Sequence, residues 1–156
     1  MPEPGSIRRA SSSDLDKIIE LERKCFPNEI GYSPNQLNYL ITRANGQSLT
    51  ETSEDVLRGL IIVLYRRGTT VAGIETLNVD PMFQGKGIAK RLLIAAEEEM
   101  HPRGIKKIRL EVATTNHPAL NLYEKMGYKK ILFLKNYYQL EHNGTRHAFR
   151  MIKELT

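Results

Sequence analysis

The chain has 156 residues, 40% of them hydrophobic and 26% charged, with a formal net charge of +5. This suits one folded domain over residues 1–156 and excludes a disordered or low-complexity chain. No basic stripe with interleaved aromatics is present, so nucleic acid is not an expected partner, and the longest apolar run, Leu60 to Leu64, is too short for a membrane span.

Residues Met1 to Ser6 read as a flexible tail without an apolar core of signal-peptide type, so a cytoplasmic protein is expected. Ile7 to Ala10 suits a short strand. Ser12 or Ser13 caps a helix whose apolar stripe is Leu15, Ile18, Ile19, Cys25 and Phe26, and Pro27 ends it. Cys25, the single cysteine, cannot form an internal disulfide and reads as a buried, inert thiol in a reducing compartment. After a polar loop to Ser33, Pro34 opens a second helix with Leu37, Leu40 and Ile41 inward.

Asn45-Gly46 is a turn, Gln47 to Glu51 a strand and Thr52 to Asp55 a polar loop. Val56 to Tyr65 is a strand of central character, and Arg66-Arg67-Gly68 returns the chain into a strand over Thr69 to Val79. A helix from Gly87 to Met100 presents Ile88, Leu92, Leu93, Ala96 and Met100 at helical spacing. Lys106 to Ala113 is a strand with Ile108, Leu110 and Val112 on one face and Arg109 and Glu111 on the other. Asn116 or His117 caps the next helix, with Ala119, Leu122, Tyr123 and Met126 on one face and Gly127 past its end. Strands over Lys130 to Tyr137 and His147 to Ile152 flank a turn at Asn143-Gly144. The order, βααβββαβαββ, implies a mixed α/β sheet covered by helices.

The stretch Asn78 to Lys90 organises the rest. A strand stops at Asp80-Pro81, and a loop with Gly85 and Gly87 leads into a helix. Glycines there leave consecutive N–H groups bare at a helix N-terminus, a seat for a pyrophosphate. Neither a Walker A loop nor a dinucleotide-binding Gly-x-Gly-x-x-Gly fits the residues. His101, His117, His142 and His147 lack ligand spacing, so no metal is expected.

Gln84-Gly85-Lys86-Gly87-Ile88-Ala89 matches Gln/Arg-x-x-Gly-x-Gly/Ala and resembles the acetyl-CoA loop of the GNAT superfamily of N-acetyltransferases. Downstream, Leu110-Glu111-Val112, Asn116, Ala119, Leu122-Tyr123 and Gly127-Tyr128 fall at the spacing of a second GNAT block. With Asn136-Tyr137-Tyr138 and Ala148 to Met151, that block is most similar to the RimI-like group, which acetylates the N-terminal alanine of a ribosomal protein. The resemblance covers Val71 to the C-terminus and reaches the first 70 residues only in layout.

It implies a GNAT-like fold: a central, mostly antiparallel sheet with one splayed parallel pair, and helices on both faces. Acetyl-CoA is the implied cosubstrate. Leu77, Asn78 and Val79 would pair with its pantetheine arm, the N–H groups of Gln84, Gly85, Lys86, Gly87, Ile88, Ala89 and Lys90 would hold the pyrophosphate, and Asn116 would touch the arm. Glu111 resembles the general base and Tyr123 the general acid that protonates the leaving thiolate. Each has another reading: Glu111 as a strand carboxylate paired to Arg109, and Tyr123 as a core tyrosine. Of Tyr137 and Tyr138, alternation assigns one to packing and the other to the acceptor site; Tyr138 is the candidate. Glu75 is a reserve base, and Glu29 and Tyr32 are candidate acceptor-binding residues or solvated loop residues. The expected reaction is direct acetyl transfer to a protein N-terminal α-amine. The alternatives are a small amine or lysine acceptor, or a non-catalytic acetyl-CoA-binding module.

Overall fold

A computed structural model describes residues 5–27 and 30–156. The elements are β1 (Ser6–Arg9), α1 (Leu15–Cys25), α2 (Pro34–Thr42), β2 (Gly46–Ser53), β3 (Val56–Tyr65) and β4 (Val71–Val79). They continue as α3 (Ile88–Met100), β5 (Lys107–Ala113), α4 (His117–Lys125), β6 (Lys129–Leu134) and β7 (Ala148–Glu154). The seven strands form one sheet in the order β1-β2-β3-β4-β5-β7-β6. Among the described residues only β4 and β5 are parallel neighbours.

The apolar run of β3 is explained by burial on both faces. Leu60 and Ile62 pack with Ile18, Leu21 and Leu37 under α1 and α2. Ile61 and Val63 pack with Leu92, Leu93, Ala96 and Met100 under α3, a cluster that also takes Leu120 and Tyr123 of α4. Each such side chain contributes roughly 1.5–3 kcal/mol of transfer free energy. Gly59 sits where α3 crosses: a Cβ there would meet Ile88 Cγ2 at 2.7 Å and Leu92 Cδ1 at 2.9 Å. The missing side chain lets the first turn of α3 lie directly on β3.

The parallel pair stays together for Val71–Gly73 against Lys107–Arg109 and then parts. The cause lies on the other edge of β4. Ile62 pairs with Thr76 and Val63 with Ile74, so Glu75 is an extra residue, a β-bulge. A bulge bends its strand and increases local twist. Strand β4 therefore leaves β5 from Ile74 onward, while β5 remains paired to β7 over its whole length.

Four local expectations differ from the structure. The strand β1 already includes Ser6, paired with Thr52, inside the expected tail. Ser12 and Ser13 do not cap α1; they form a 3-10 turn with Asp14, whose carboxylate accepts the Ser11 N–H at 2.9 Å. Strand β2 runs to Ser53, because Glu54 and Asp55 (φ 50° and 63°) make the turn alone. Strand β6 stops at Leu134 instead of Tyr137, since the chain turns at Asn136, φ 53°.

Candidate active site

The parting of β4 and β5 opens a cleft of about 790 Å³. Leu77 and Asn78 of β4, Glu111 of β5, Asn116 just before α4 and Tyr123 within it line the cleft, with Glu75, Tyr32 and Tyr138. Eight of the sequence-derived candidates thus meet in one place, although they span residues 32–138. Val79 lies at the end of β4, where its carbonyl accepts the Cys25 thiol at 3.4 Å. Glu29 falls outside the described residues.

Beyond Val79, the carboxylate of buried Asp80 accepts the Met82 N–H at 2.9 Å and turns the chain into the glycine loop. Gly85 and Gly87 have φ of 79° and 80°, a region side chains rarely adopt, and Gly87 is the N-cap of α3. The first N–H groups of α3 have no intrahelical acceptor and carry the positive end of the helix dipole. Gln84, Lys86 and Lys90 are exposed around them. These residues fit a pyrophosphate: bare donors, positive charge, and no side chain on either glycine.

A buried ion cage holds that loop. Glu51 has no exposed surface and is bonded by Arg58 (2.6 Å) and Arg91 (2.7 Å). The other arm of Arg91 donates to the Lys86 carbonyl at 2.9 Å. No sequence signal marked Glu51, Arg58 or Arg91, because a charged residue on a strand looks solvated until its neighbours are known.

Glu111 is held from three sides. The Tyr137 hydroxyl donates to Oε1 at 3.3 Å, and Arg150 and Arg109 reach Oε2 at 3.0 and 3.4 Å. The pairing with Arg109 foreseen from the strand face is therefore present, alongside two other partners. Tyr123 is buried and faces the cleft; burial, with Tyr138 nearby, pushes its hydroxyl far above the ordinary tyrosine range, so it stays protonated. Its position is compatible with both readings, since it belongs to the core cluster and also lines the cleft. Asn116 caps α4 by accepting the Ala119 N–H at 3.3 Å.

Across the cleft, Tyr32 donates to Glu75 Oε2 at 2.6 Å, and burial together with that carboxylate raises the Tyr32 hydroxyl well beyond its usual range. The expected division of Tyr137 and Tyr138 into one packing and one lining residue does not hold. Both lie past the strand and both line the cleft, their rings 5.0 Å apart. Burial first, then Tyr137 and Glu111, pushes Tyr138 up to about 12. His142 stacks on Tyr138 at 3.9 Å and approaches the Phe26 ring at 6.0 Å, joining the segment before β7 to the end of α1 at the cleft wall. Thr115 Oγ1 donates to the Asn143 carbonyl at 2.6 Å and ties that segment to the start of α4.

Two groups were not as read, or not read at all. Cys25 is half-buried, packed against the cluster under α1 and α2 and also lining the cleft, and burial pushes its thiol up to about 11, which keeps it unreactive. Glu22 of α1, unmarked in the sequence, is 3% exposed and lines the cleft. Among the described residues no group of three or more His, Cys, Asp or Glu is placed to hold a metal, and no helix is long and apolar enough to cross a membrane.

A long polyamide arm fits between two parted strands, and its pyrophosphate fits the loop at their end; the class so defined is a CoA-dependent acyltransferase. The profile of the Acetyltransferase (GNAT) family matches residues 15–128, and the chain belongs to that family, as an acetyl-CoA-dependent N-acetyltransferase. It is 30% identical over 140 residues to the N-alpha-acetyltransferase RimI of Mycobacterium tuberculosis, across 88% of this chain and 87% of that one. With the [ribosomal protein bS18]-alanine N-acetyltransferase of Haemophilus ducreyi it shares 39% identity over 80 residues, about half of each chain (51% and 55%). The crystal structure of the ribosomal-protein-S18-alanine N-acetyltransferase from Escherichia coli has the same fold, with a TM-score of 0.86 over 97% of this chain and 94% of that one at 22% identity. The PaiA N-acetyltransferase of Thermoplasma acidophilum, solved with coenzyme A, gives a TM-score of 0.79 at 25% identity over 96% and 98%.

Proposed function

We propose that this protein transfers the acetyl group of acetyl-CoA directly to the α-amine of a protein N-terminus, and that residues 1–156 act as one catalytic domain. The observation that carries the reading is the meeting of Glu111 and Tyr123 in the opening between β4 and β5, with the bare glycine loop following the end of β4. Leu77, Asn78 and Val79 offer the arm the strand edge that β5 has left, Gln84 to Lys90 take the pyrophosphate, and Asn116 borders the arm. Only the neutral amine attacks the thioester carbon, so nitrogen must lose protons and the departing sulfur must gain one. Glu111 accepts a proton from nitrogen as the C–N bond forms, through a water where the amine is out of direct reach. Tyr123 returns one to the thiolate. The Val79 N–H is the donor for the carbonyl oxygen that becomes an oxyanion.

Tyr32, Glu75 and Tyr138 form the acceptor side; Glu29, outside the described residues, is a further candidate. The cleft wall where Phe26 and His142 come together suits a narrow, extended chain end better than a lysine on a folded surface. Relatives named for protein N-termini support the same acceptor class, and those named for bS18 alanine make Ala-initiated peptides the first to try. The reading puts the protein in the cytoplasm, where a lone thiol stays reduced. The test is CoA release with Ala-, Ser- and Met-initiated peptides, each beside an N-blocked control, and with small amines and lysine. Turnover on free N-termini that blocking abolishes supports the reading. Turnover only on lysine or small amines refutes the acceptor, and CoA binding without turnover on any amine favours a binding module.

A further inference from the structure

Glu22 is a buried carboxylate that the scheme above leaves idle. Its Oε1 accepts the Asn78 side-chain N–H at 3.2 Å, and Asn78 in turn takes the Thr76 hydroxyl at 3.0 Å. Its Oε2 is buried with no hydrogen-bond partner among the described residues. The Cγ and Cδ atoms pack close to Gly31 of the loop after α1, where a Cβ would meet them at 3.1 and 3.2 Å. Glu22 therefore lies against the last residues of β4, beside the place proposed for the thioester. One turn along α1, Cys25 bonds the Val79 carbonyl. A buried acceptor oxygen left without a donor is costly, by about 1–3 kcal/mol. In a cleft meant for an amine, the missing donor is an N–H.

Resting on the reading of an α-amine acceptor, we propose that Glu22 takes the first proton from the incoming ammonium, before Glu111 takes the second. One N–H bond of the ammonium breaks, its electron pair stays on nitrogen, and an O–H bond forms on Glu22. The complete reaction removes two protons from nitrogen and returns one to sulfur, so two acceptors and one donor balance it. Glu111 has both oxygens engaged by Tyr137, Arg109 and Arg150; Glu22 has one free.

Burial pushes Glu22 up to about 7, with the Asn78 bond opposing. An α-amine titrates near 7.7–8.0, about one unit higher, so the transfer is unfavourable by only about tenfold. A lysine amine at about 10.4 would make the same step unfavourable by more than about a thousandfold. The carboxylate is thus matched to a chain N-terminus and mismatched to lysine. The titratable groups around it are Lys24 and Cys25 on its own helix, Tyr32 on the following loop, Glu75 on β4, and Asp80 just past the end of β4, paired to Lys24. Arg109, Glu111, Tyr137 and His142 face it across the cleft.

The test is kcat/KM against pH for an Ala-initiated peptide at saturating acetyl-CoA, in the wild type, Glu22→Gln, Glu22→Asp and His142→Gln. CoA affinity and melting temperature check the fold of each. In the wild type the rate rises with a midpoint near 7. In Glu22→Gln the midpoint moves to that of the peptide amine, about 8, so the rate falls about tenfold on the acid side and recovers at roughly pH 9. Glu22→Asp keeps an acid limb of its own, and His142→Gln leaves the wild-type midpoint in place. An unmoved midpoint in Glu22→Gln, or a loss equal at every pH, overturns the proposal; so does a limb that vanishes with His142. A wild type that acetylates no peptide N-terminus overturns the acceptor reading and this proposal together, whereas an active wild type beside an unaltered Glu22→Gln overturns this proposal alone.

Discussion

The ion cage beneath the glycine loop gives a prediction that separates positioning from contact. Glu51 is fully buried and cannot touch a ligand, yet it fixes Arg91, which holds the Lys86 carbonyl. Glu51→Gln keeps the shape and removes the charge. It leaves Arg58, with 9% of its side chain exposed, without its counter-ion, and Arg91, with 35% exposed, able to reach water. Removing one partner of a buried pair costs about 3–5 kcal/mol; the exposure of Arg91 puts this case at the low end, about 3 kcal/mol. At about 2–4 °C per kcal/mol for a domain of this size, the melting temperature should fall by roughly 6–12 °C. Freed from Glu51, Arg91 no longer anchors Lys86, and the donors for the pyrophosphate lose their fixed geometry. A loss of about 1.4 kcal/mol there raises the Kd for CoA about tenfold. Calorimetric titration with CoA and with pantetheine, which lacks the pyrophosphate, reads the two parts separately. Pantetheine affinity should hold while CoA affinity falls. Equal loss for both, or a CoA Kd within about twofold of wild type in the destabilised protein, would refute the reasoning.

Other perturbations test other parts. Glu111→Gln and Tyr123→Phe should each lower kcat by about 10²–10⁴-fold while sparing the Kd for CoA; a matching loss of CoA binding would make them structural. Gly59→Val should drive Ile88 and Leu92 off β3, cost about 1–3 kcal/mol, and weaken CoA binding because Ile88 begins the helix whose N-terminus holds the pyrophosphate; unchanged thermal unfolding and CoA affinity would contradict the close packing. Asp14, held by Arg8 and the Ser11 N–H, is lowered to about 2 in the folded protein, with the Arg8 bond the main cause. A depressed carboxylate stabilises above its unfolded value of about 3.9 and loses that contribution as pH falls toward 2. The melting temperature of Asp14→Asn should therefore lie below wild type at neutral pH and converge with it across that acid window.

The glycine loop and both blocks around it were legible because their signals are local. Asp80-Pro81 stops a strand, Gly85 and Gly87 accept positive φ, and Asn116 caps a helix; each works within a few residues. Strand β3 was read to its ends for a similar reason: an apolar run bounded by turns has few alternatives. Tyr137 and Tyr138 misled because aromatic residues suit strands, while the left-handed turn at Asn136 that reverses the chain has a weak signature. Thr115, beside the cap residue Asn116, ties down Asn143, a contact with no local signature. Glu22 and Glu51 were invisible for a deeper reason. On α1, Glu22 sits among Glu20, Arg23 and Lys24 and looks like part of a solvated face. Only the fold shows that Asn78 and Gly31 close over it.

The parting of β4 from β5 has a consequence for the protein at rest. Past Gly73 and Arg109 the two strands no longer bond each other, so the sheet contains an internal seam. An arm of amides laid along Leu77 to Val79 would act as the missing rung of the sheet as well as the acetyl carrier. At a CoA concentration about 100 times its Kd, mass action adds about 2.7 kcal/mol to the stability of the native state. Hydrogen exchange at Ile74 to Val79 should slow on CoA addition even with the acetyl group absent. The donor is then a folding ligand too, and a cell short of acetyl-CoA but rich in free CoA would keep the protein intact while it stands idle.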